Sequence, residues 1–455
     1  MRLFEQICMG FLLLPAATLW SQTDNTPTAP VPAVIGPESN SDRMLTPPPV
    51  SGESFPTAFT SGERSNYLRG GLAFTTAYTD NALGSITPNP VSDVSYSIAP
   101  FIALDETTPR LHLVSTYAPG FTFYQKTSSR NEQDQNASVD FQYRLSPHVT
   151  FNARDGFQKS SNVFNQPDLA TAGAVSGATE EANFSIIAPI ADRLSNTGNA
   201  GITAQFSPNG MVGASGTFTN LHYPDQAEVP GLFDSSSQAG SAFYSLRASK
   251  MHYFGVTYQY QRLISYLTGG QSETQTHAIL FFYTLYATSR FSLSFFGGPQ
   301  HSDTTQPPIG SVPLPAARAW TPAAGASMNW QARLTNVALS YSHVISGGGG
   351  LQGAVHMDSG TVLLRQQMTR SLSASVAGQY AQNDIIDSTL AAAENGHTVS
   401  GTASLQQLFG QHVNLQLGYT RVHEDYGAVA VLAATPNTNR EFVSISYQFS
   451  RPLGR

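Results

Sequence analysis

The chain has 455 residues and a mass of 48.8 kDa, long enough for several ordinary domains or for one large all-β unit. Only 12% of the residues are charged, and among the 23 basic residues only Lys126, Lys159 and Lys250 are lysines, so the Lys- and Glu-rich surface of an ordinary water-soluble domain is missing. A net charge of −7 without any basic run excludes a general nucleic-acid binder.

Residues 1–21 carry an early arginine, an apolar run from Ile7 to Trp20 and a change to polar composition after Ser21. This is the layout of a secretory signal peptide, with cleavage expected after Ser21, because the run is too short for a membrane helix. The single cysteine, Cys8, falls inside it. The exported chain is then expected to lack a disulfide, a thiolate metal site and a Cys nucleophile. Residues 22–62 are rich in Pro, Ser and Thr without periodicity, which reads as a disordered periplasmic linker. Residues 63–455 remain for a single β-barrel.

From Tyr67 onward the pattern has a period of two, in segments of roughly 9 to 13 residues. In ASVDFQYRL, Val139, Phe141, Tyr143 and Leu145 share one face; in FVSISYQF, Val443, Ile445, Tyr447 and Phe449 do so, against Ser444, Ser446 and Gln448. NVALSYSHVI and HVNLQLGYT alternate in the same way. About 18 such segments are counted, with 16 as the alternative, since barrels of this kind have even strand numbers. Short connections (SPH, SPNG, ASKMH, TSR, FGQH) alternate with long polar ones, among them KTSSRNEQDQ and the stretch from Gln158 to Asp192. A soluble sandwich has no reason to segregate turn lengths. Short turns at one end, long loops at the other and aromatics near the segment ends are the signature of a transmembrane, antiparallel, up-and-down β-barrel with short periplasmic turns and long extracellular loops. Its last strand must close on the first, since a sheet edge cannot stand open in a bilayer.

Two details strain the pattern. Pro100 and Pro119 fall inside strand segments, where bulges are expected because proline removes a ladder donor. THAILFFYTLYAT is apolar on both faces, so either His277, Ile279, Phe281, Tyr283 and Leu285 or the alternate set must face inward, under some cover. The loop near 158–192, which is more apolar than a solvated loop requires, is expected to fold into the lumen and narrow it, against a patch near Phe281 and Tyr283.

Parity also assigns the lumen wall. With Val139, Phe141 and Tyr143 facing lipid, Asp140 and Arg144 face inward, and across the SPH turn so do Thr150 and Arg154. A hairpin centred on Pro147 sets Asp140 opposite Arg154 and Arg144 opposite Thr150. The same parity sends Arg69, Arg247, Arg333 and Arg365 inward while most Asp and Glu are assigned to loops, so the expected wall is net positive.

Chemical motifs are weak beside this. GGGG (Gly347 to Gly350) lacks the GK[ST] of a phosphate loop. His423, Glu424, Asp425 and Tyr426 are potential cation ligands but read as the start of a solvated loop. His301, Ser302 and Asp303 alternate faces on an extended chain and cannot align as a triad. No catalytic, cofactor-binding or metal residue is assigned, and the protein is not expected to be an enzyme.

STYAPGFTFY, FFGGP and WTPAAGASMNWQARLTNVALSYSH followed by SGGGG resemble segments of the porin-like outer-membrane barrels of Gram-negative bacteria. The aromatic-ended final strand resembles their C-terminal assembly signal, although Ser450 to Arg455 extend beyond Phe449. The resemblance implies an outer-membrane location. It also implies lipopolysaccharide and the barrel assembly machinery as partners, with homo-oligomerisation left open. The expected function is a passive diffusion channel for small hydrophilic solutes. A conduit for polysaccharide or other polymer export and a structural or adhesive barrel with a blocked lumen stand as alternatives.

Overall fold

The computed structural model describes residues 66–453 apart from 83–89, 161–191, 229–230, 268, 289, 308–315, 348–349, 352, 387–394 and 427–436. The expected leader, the linker and most of the loop at 158–192 therefore lie outside the described residues. The chain forms eighteen strands: β1 (Tyr67–Thr79), β2 (Asp93–Thr107), β3 (Leu111–Tyr124), β4 (Glu132–Ser146), β5 (Val149–Ser160), β6 (Arg193–Ser207), β7 (Gly210–His222), β8 (Asp234–Arg247), β9 (His252–Leu267), β10 (Gly270–Thr288), β11 (Phe291–Thr305), β12 (Ala317–Gln331), β13 (Thr335–Ser346), β14 (Val355–Gln367), β15 (Leu372–Ile385), β16 (Gly396–Phe409), β17 (Val413–Tyr426) and β18 (Asn437–Pro452). Each strand pairs antiparallel with its sequence neighbours, and β18 pairs with β1 from Tyr67↔Pro452 to Thr79↔Arg440, closing the barrel. No helix among the described residues is long and apolar enough to cross a membrane; the crossing elements are the strands.

The connections segregate as their lengths require. At one end β4 turns into β5 through Pro147 and His148, with the Ser146 hydroxyl accepting the His148 and Val149 N–H groups at 3.2 and 3.1 Å. At the other end lie the long connections, with the two-residue link between Leu267 and Gly270 as an exception. The two prolines are accommodated without a bulge. Pairing of β2 with β3 runs to Ile98↔Phe121, resumes at Ile102↔Tyr117, and keeps its register across the gap. Pro100 and Pro119 thus stand opposite one another in that gap, while Pro100 stays in register with Leu72 and Pro119 with Gln135. Two missing donors share one interruption, so neither strand needs an extra residue.

Large apolar side chains cover the outside: Phe74, Ile102, Phe123, Ile279, Leu417 and Ile445 are all exposed. A contiguous belt of this kind is stable only against hydrocarbon. The inside is polar but hardly charged, and hydroxyls satisfy one another across strands, as in Thr116–Ser138 at 2.5 Å, Ser215–Ser241 at 2.8 Å and Ser340–Thr361 at 2.6 Å. The low charge content has its structural cause here. Inward aromatic rings are folded flat against the wall. Phe101, Phe243, Phe282, Phe296 and Phe442 lie directly opposite Gly71, Gly213, Gly255, Gly325 and Gly418, and a β-carbon at any of these glycines would overlap the ring.

Candidate functional site: a constricted lumen

The mouth at the long-loop end is crossed by protein. Leu221 at the end of β7 and Tyr223 and Leu232 in the β7–β8 connection pack with Leu351 of the β13–β14 connection and with Val355 and Met357 of β14. Ala381, Ile385 and Tyr426 complete the cluster. Because β7 and β14 stand seven strands apart in a ring of eighteen, this cluster bridges the lumen. The Phe233 N–H donates to the Gly350 carbonyl at 2.7 Å, joining the two connections by backbone. Leu351, Val355 and Tyr426 are fully buried. The Tyr426 hydroxyl accepts from the Asn383 amide at 2.8 Å and meets Thr398 at 3.3 Å. Burial pushes the Tyr223 hydroxyl up to about 12, with Arg193 opposing and Asp234 adding to the rise.

The β13–β14 hairpin reaches this position by leaning into the barrel. Ile345 packs against Leu263 of β9 and Ala354, and a β-carbon on Gly347 would lie 3.4 Å from the Leu263 side chain. The hairpin tip therefore lies against strands four places away. His423–Tyr426, read from sequence as a solvated loop, belong to β17, and Tyr426 is part of the mouth cluster.

Cross-strand register places the wall charges. Asp140 pairs with Arg154 and Arg144 with Thr150 in the β4–β5 hairpin, with an ion pair of 3.4 Å between Arg154 and Asp140. Arg69 faces inward and lies 3.8 Å from Asp105. Arg247 is buried at the short-turn end, its guanidinium 5.9 Å from the Tyr253 ring centre. Arg365 occupies an inward position on β14. Arg333 lies in the turn between β12 and β13, beyond the end of the strand parity that assigned it to the wall. Inward strand positions also carry six carboxylates, including Asp93, Asp134 and Glu424, against seven arginines, so the wall is closer to balance than net positive. Most of these carboxylates are occupied structurally: Asp93 accepts the N–H groups of Val94, Lys126 and Thr127. In the short-turn half, five arginines (Arg69, Arg144, Arg154, Arg247 and Arg365) outnumber Asp105 and Asp140.

The doubly apolar segment has a definite polarity. Phe281 and Tyr283 point outward, Phe281 being 62% exposed, while Leu280 and Phe282 point inward and are buried with Ala278, Phe296 and Ala323. The expectation of a lumen patch at Phe281 and Tyr283 is thus corrected by one residue in parity. Sequence reasoning missed the β13–β14 hairpin as the constriction; its glycine density was the available signal. Among the described residues no three His, Cys, Asp or Glu side chains converge to hold a metal ion.

No protein-family model matches the chain, and no curated protein matches it. Among solved structures it is similar to the outer membrane protein OpdK from Pseudomonas aeruginosa, with 9% identity over 84% of this chain and 99% of that chain and a TM-score of 0.39. It is similar also to OpdQ of the same organism, with 10% identity, 85% and 99% coverage and a TM-score of 0.41. OccAB4 of Acinetobacter baumannii matches with 9% identity, 84% and 98% coverage and a TM-score of 0.38. Likeness at this level has no bearing on the function, for which the barrel's own geometry is the guide.

Proposed function

We propose that this protein is an outer-membrane channel through which small hydrophilic solutes diffuse passively, and that no residue in it performs chemistry. The observation that carries this reading is the closed eighteen-stranded wall with a hydroxyl-lined interior, because a barrel of sixteen to eighteen strands is wide enough to enclose an aqueous path. The inward hairpin sets the size limit at the mouth. The arginine excess in the short-turn half sets a mild anion preference, which salt weakens as the screening length falls. Lipopolysaccharide around the outer belt, the assembly machinery that inserts the barrel and self-association complete the partner set in this reading.

Conductance of the purified protein in planar bilayers is the test. A stable pore with a reversal potential on the anion side under a KCl gradient is expected, and changing Arg144 and Arg365 together to Gln should move that potential toward the cation side. Cation selectivity in the wild type, or no shift in the double variant, would refute the role of these arginines. The dry cluster across the mouth favours a second reading, a structural or adhesive barrel with a blocked lumen. Absence of conductance at every voltage and pH would select it.

A further inference from the structure

On the inner face of β10, β11 and β12 the cross-strand hydroxyl pairing is interrupted over one stretch. Thr276 and Ser302 are directly opposite in register, as are Gln300 and Thr321. Yet the Thr276, Ser302 and Thr321 hydroxyls and the Gln300 side-chain oxygen are buried without a hydrogen-bond partner among the described residues. Ser272, above them on β10, is in the same state. Ser272, Thr276, Gln300 and Ser302 are between 1% and 6% exposed. An unpaired buried hydroxyl or amide forfeits its hydration with no return, and here five converge on one face. Along the same β10–β11 ladder, Thr274 bonds to Thr304 at 3.0 Å and Thr284 to Ser294 at 2.9 Å, so the ladder pairs such groups on either side of the unpaired ones.

Directly below the polar group lies the buried apolar patch of Ala278, Leu280, Phe282, Phe296 and Ala323, with Val344 of the leaning hairpin packed against it from the lumen side. The face is amphipathic along the barrel axis, polar toward the long-loop end and apolar beneath. No Asp, Glu, Lys, Arg or His occupies an inward position on β10, β11 or β12. The wall also has a seam beside it. Pairing of β12 with β13 stops at Ala324↔His343, whereas β11–β12 pairing continues to Thr304↔Ala317 and β13–β14 pairing to Ser346↔Val355. Above that point Val344 and Ile345 follow the hairpin inward and leave the edge of Thr321, Pro322 and Ala323 unpaired with β13; Pro322 has no N–H to leave exposed. Trp320, 72% exposed on the outer surface just above, marks this level as the membrane interface, where indole rings reside.

We propose that the space between the inner face of β10–β12 and the β13–β14 hairpin is a binding slot for an uncharged, single-chain amphiphile with a hydroxylated head, which enters sideways through the β12–β13 seam. The hydroxyl and amide oxygens take the head, each acting as donor or acceptor as the head demands, and the chain displaces Val344 from the apolar patch. A charged head finds no counterion on these strands. The site stands apart from the solute path of the proposed channel.

The test uses the full chain in lipid nanodiscs, with monolauroyl glycerol as probe and laurate as its charged counterpart. Saturable binding of monolauroyl glycerol is expected, at least tenfold tighter than that of laurate. The double variant Gln300→Leu with Ser302→Val should bind at least tenfold more weakly while melting at the same or a higher temperature, because it removes unpartnered polar groups. A lowered melting temperature with unchanged binding would mean that these groups are structural and would overturn the proposal; so would equal affinity for laurate. A second variant keeps the seam testable: in a Cys8→Ser background, Ala323→Cys with Val344→Cys should lose binding on oxidation and regain it on reduction. Binding that is indifferent to a formed disulfide would overturn lateral entry. Potassium chloride conductance, measured in parallel, reports separately on the channel reading.

Discussion

A β-carbon on Gly350 would stand 2.8 Å from the Tyr223 hydroxyl, at a backbone φ of +109° that side-chain-bearing residues avoid. Glycine is thus required there for the hairpin tip to approach the β7–β8 connection. Gly350→Ala is expected to loosen the mouth and raise single-channel conductance while leaving the barrel's melting unchanged. Tyr223 adds a dependence on alkaline pH. Its hydroxyl is raised above the ordinary value of 10 to about 12, so the buried neutral form contributes stability that is fully present below pH 10 and is lost progressively between about 10 and 12. The loss amounts to about 2 to 3 kcal/mol at the top of that window. Conductance should rise across this range, and Tyr223→Phe should abolish the rise. On the outer surface, Asp155 presents a carboxylate between Ala153 and Phe157 and opposite Val139, with the Asn196 amide bonded to it at 3.3 Å. An ionisable group in the lipid-facing band is costly. Asp155→Leu is expected to stabilise the barrel by about 1 kcal/mol against guanidinium unfolding in liposomes; destabilisation would show that the carboxylate meets something other than lipid.

At the scale of elements, the β13–β14 hairpin exchanges pairing in the wall for packing across the lumen. Thr321 to Ala323 lose β13 as a neighbour, and in return Ile345 and Leu351 enter apolar clusters on the far side. Sequence placed a constriction in the stretch from 158 to 192 because that loop is long and apolar, and most of that stretch lies outside the described residues. The β13–β14 connection, with five glycines and a single leucine, is neither long nor apolar: its burial comes from close backbone approach, which its glycines permit. The wall pairing was more legible, since the SPH turn fixes register and register fixes parity, so Asp140↔Arg154 followed from counting alone. Parity failed where a strand was assumed to run on, as at Arg333, and could not choose a face where both were apolar, as in β10. If Leu351 anchors the hairpin, Leu351→Asp should release it into water and enlarge the mouth. Conductance should rise and external protease should gain access to the connection, whereas unchanged conductance with a protected connection would place the constriction elsewhere.

For the whole molecule, one asymmetry accounts for the composition and the membrane setting together. Each strand must offer apolar side chains to lipid and polar ones to the lumen, and closure of β18 on β1 joins the first and last strands along the full length of β1. On the last hairpin, Leu415 is paired with Ile445 on the outside, and Gln416 with Ser444 on the inside. The same register continues into β1, where Ile445 meets Phe74 and Ser444 bonds to Thr75 at 2.8 Å. Ile445 is 51% exposed, an exposure that water would penalise and hydrocarbon does not. An arginine at position 415 or 445 would therefore stand in lipid at a cost of about 2 to 4 kcal/mol near the midplane, and it would do so on the strands that close the barrel. The same substitution at Gln416 or Ser446 would place the guanidinium in the polar interior at little cost. Leu415→Arg and Ile445→Arg should lose the heat-modifiable gel shift of a folded barrel, and Gln416→Arg and Ser446→Arg should retain it. Equal tolerance on both faces would contradict a lipid-facing outer wall, because a barrel surrounded by water has no reason to reject the charge on one side alone.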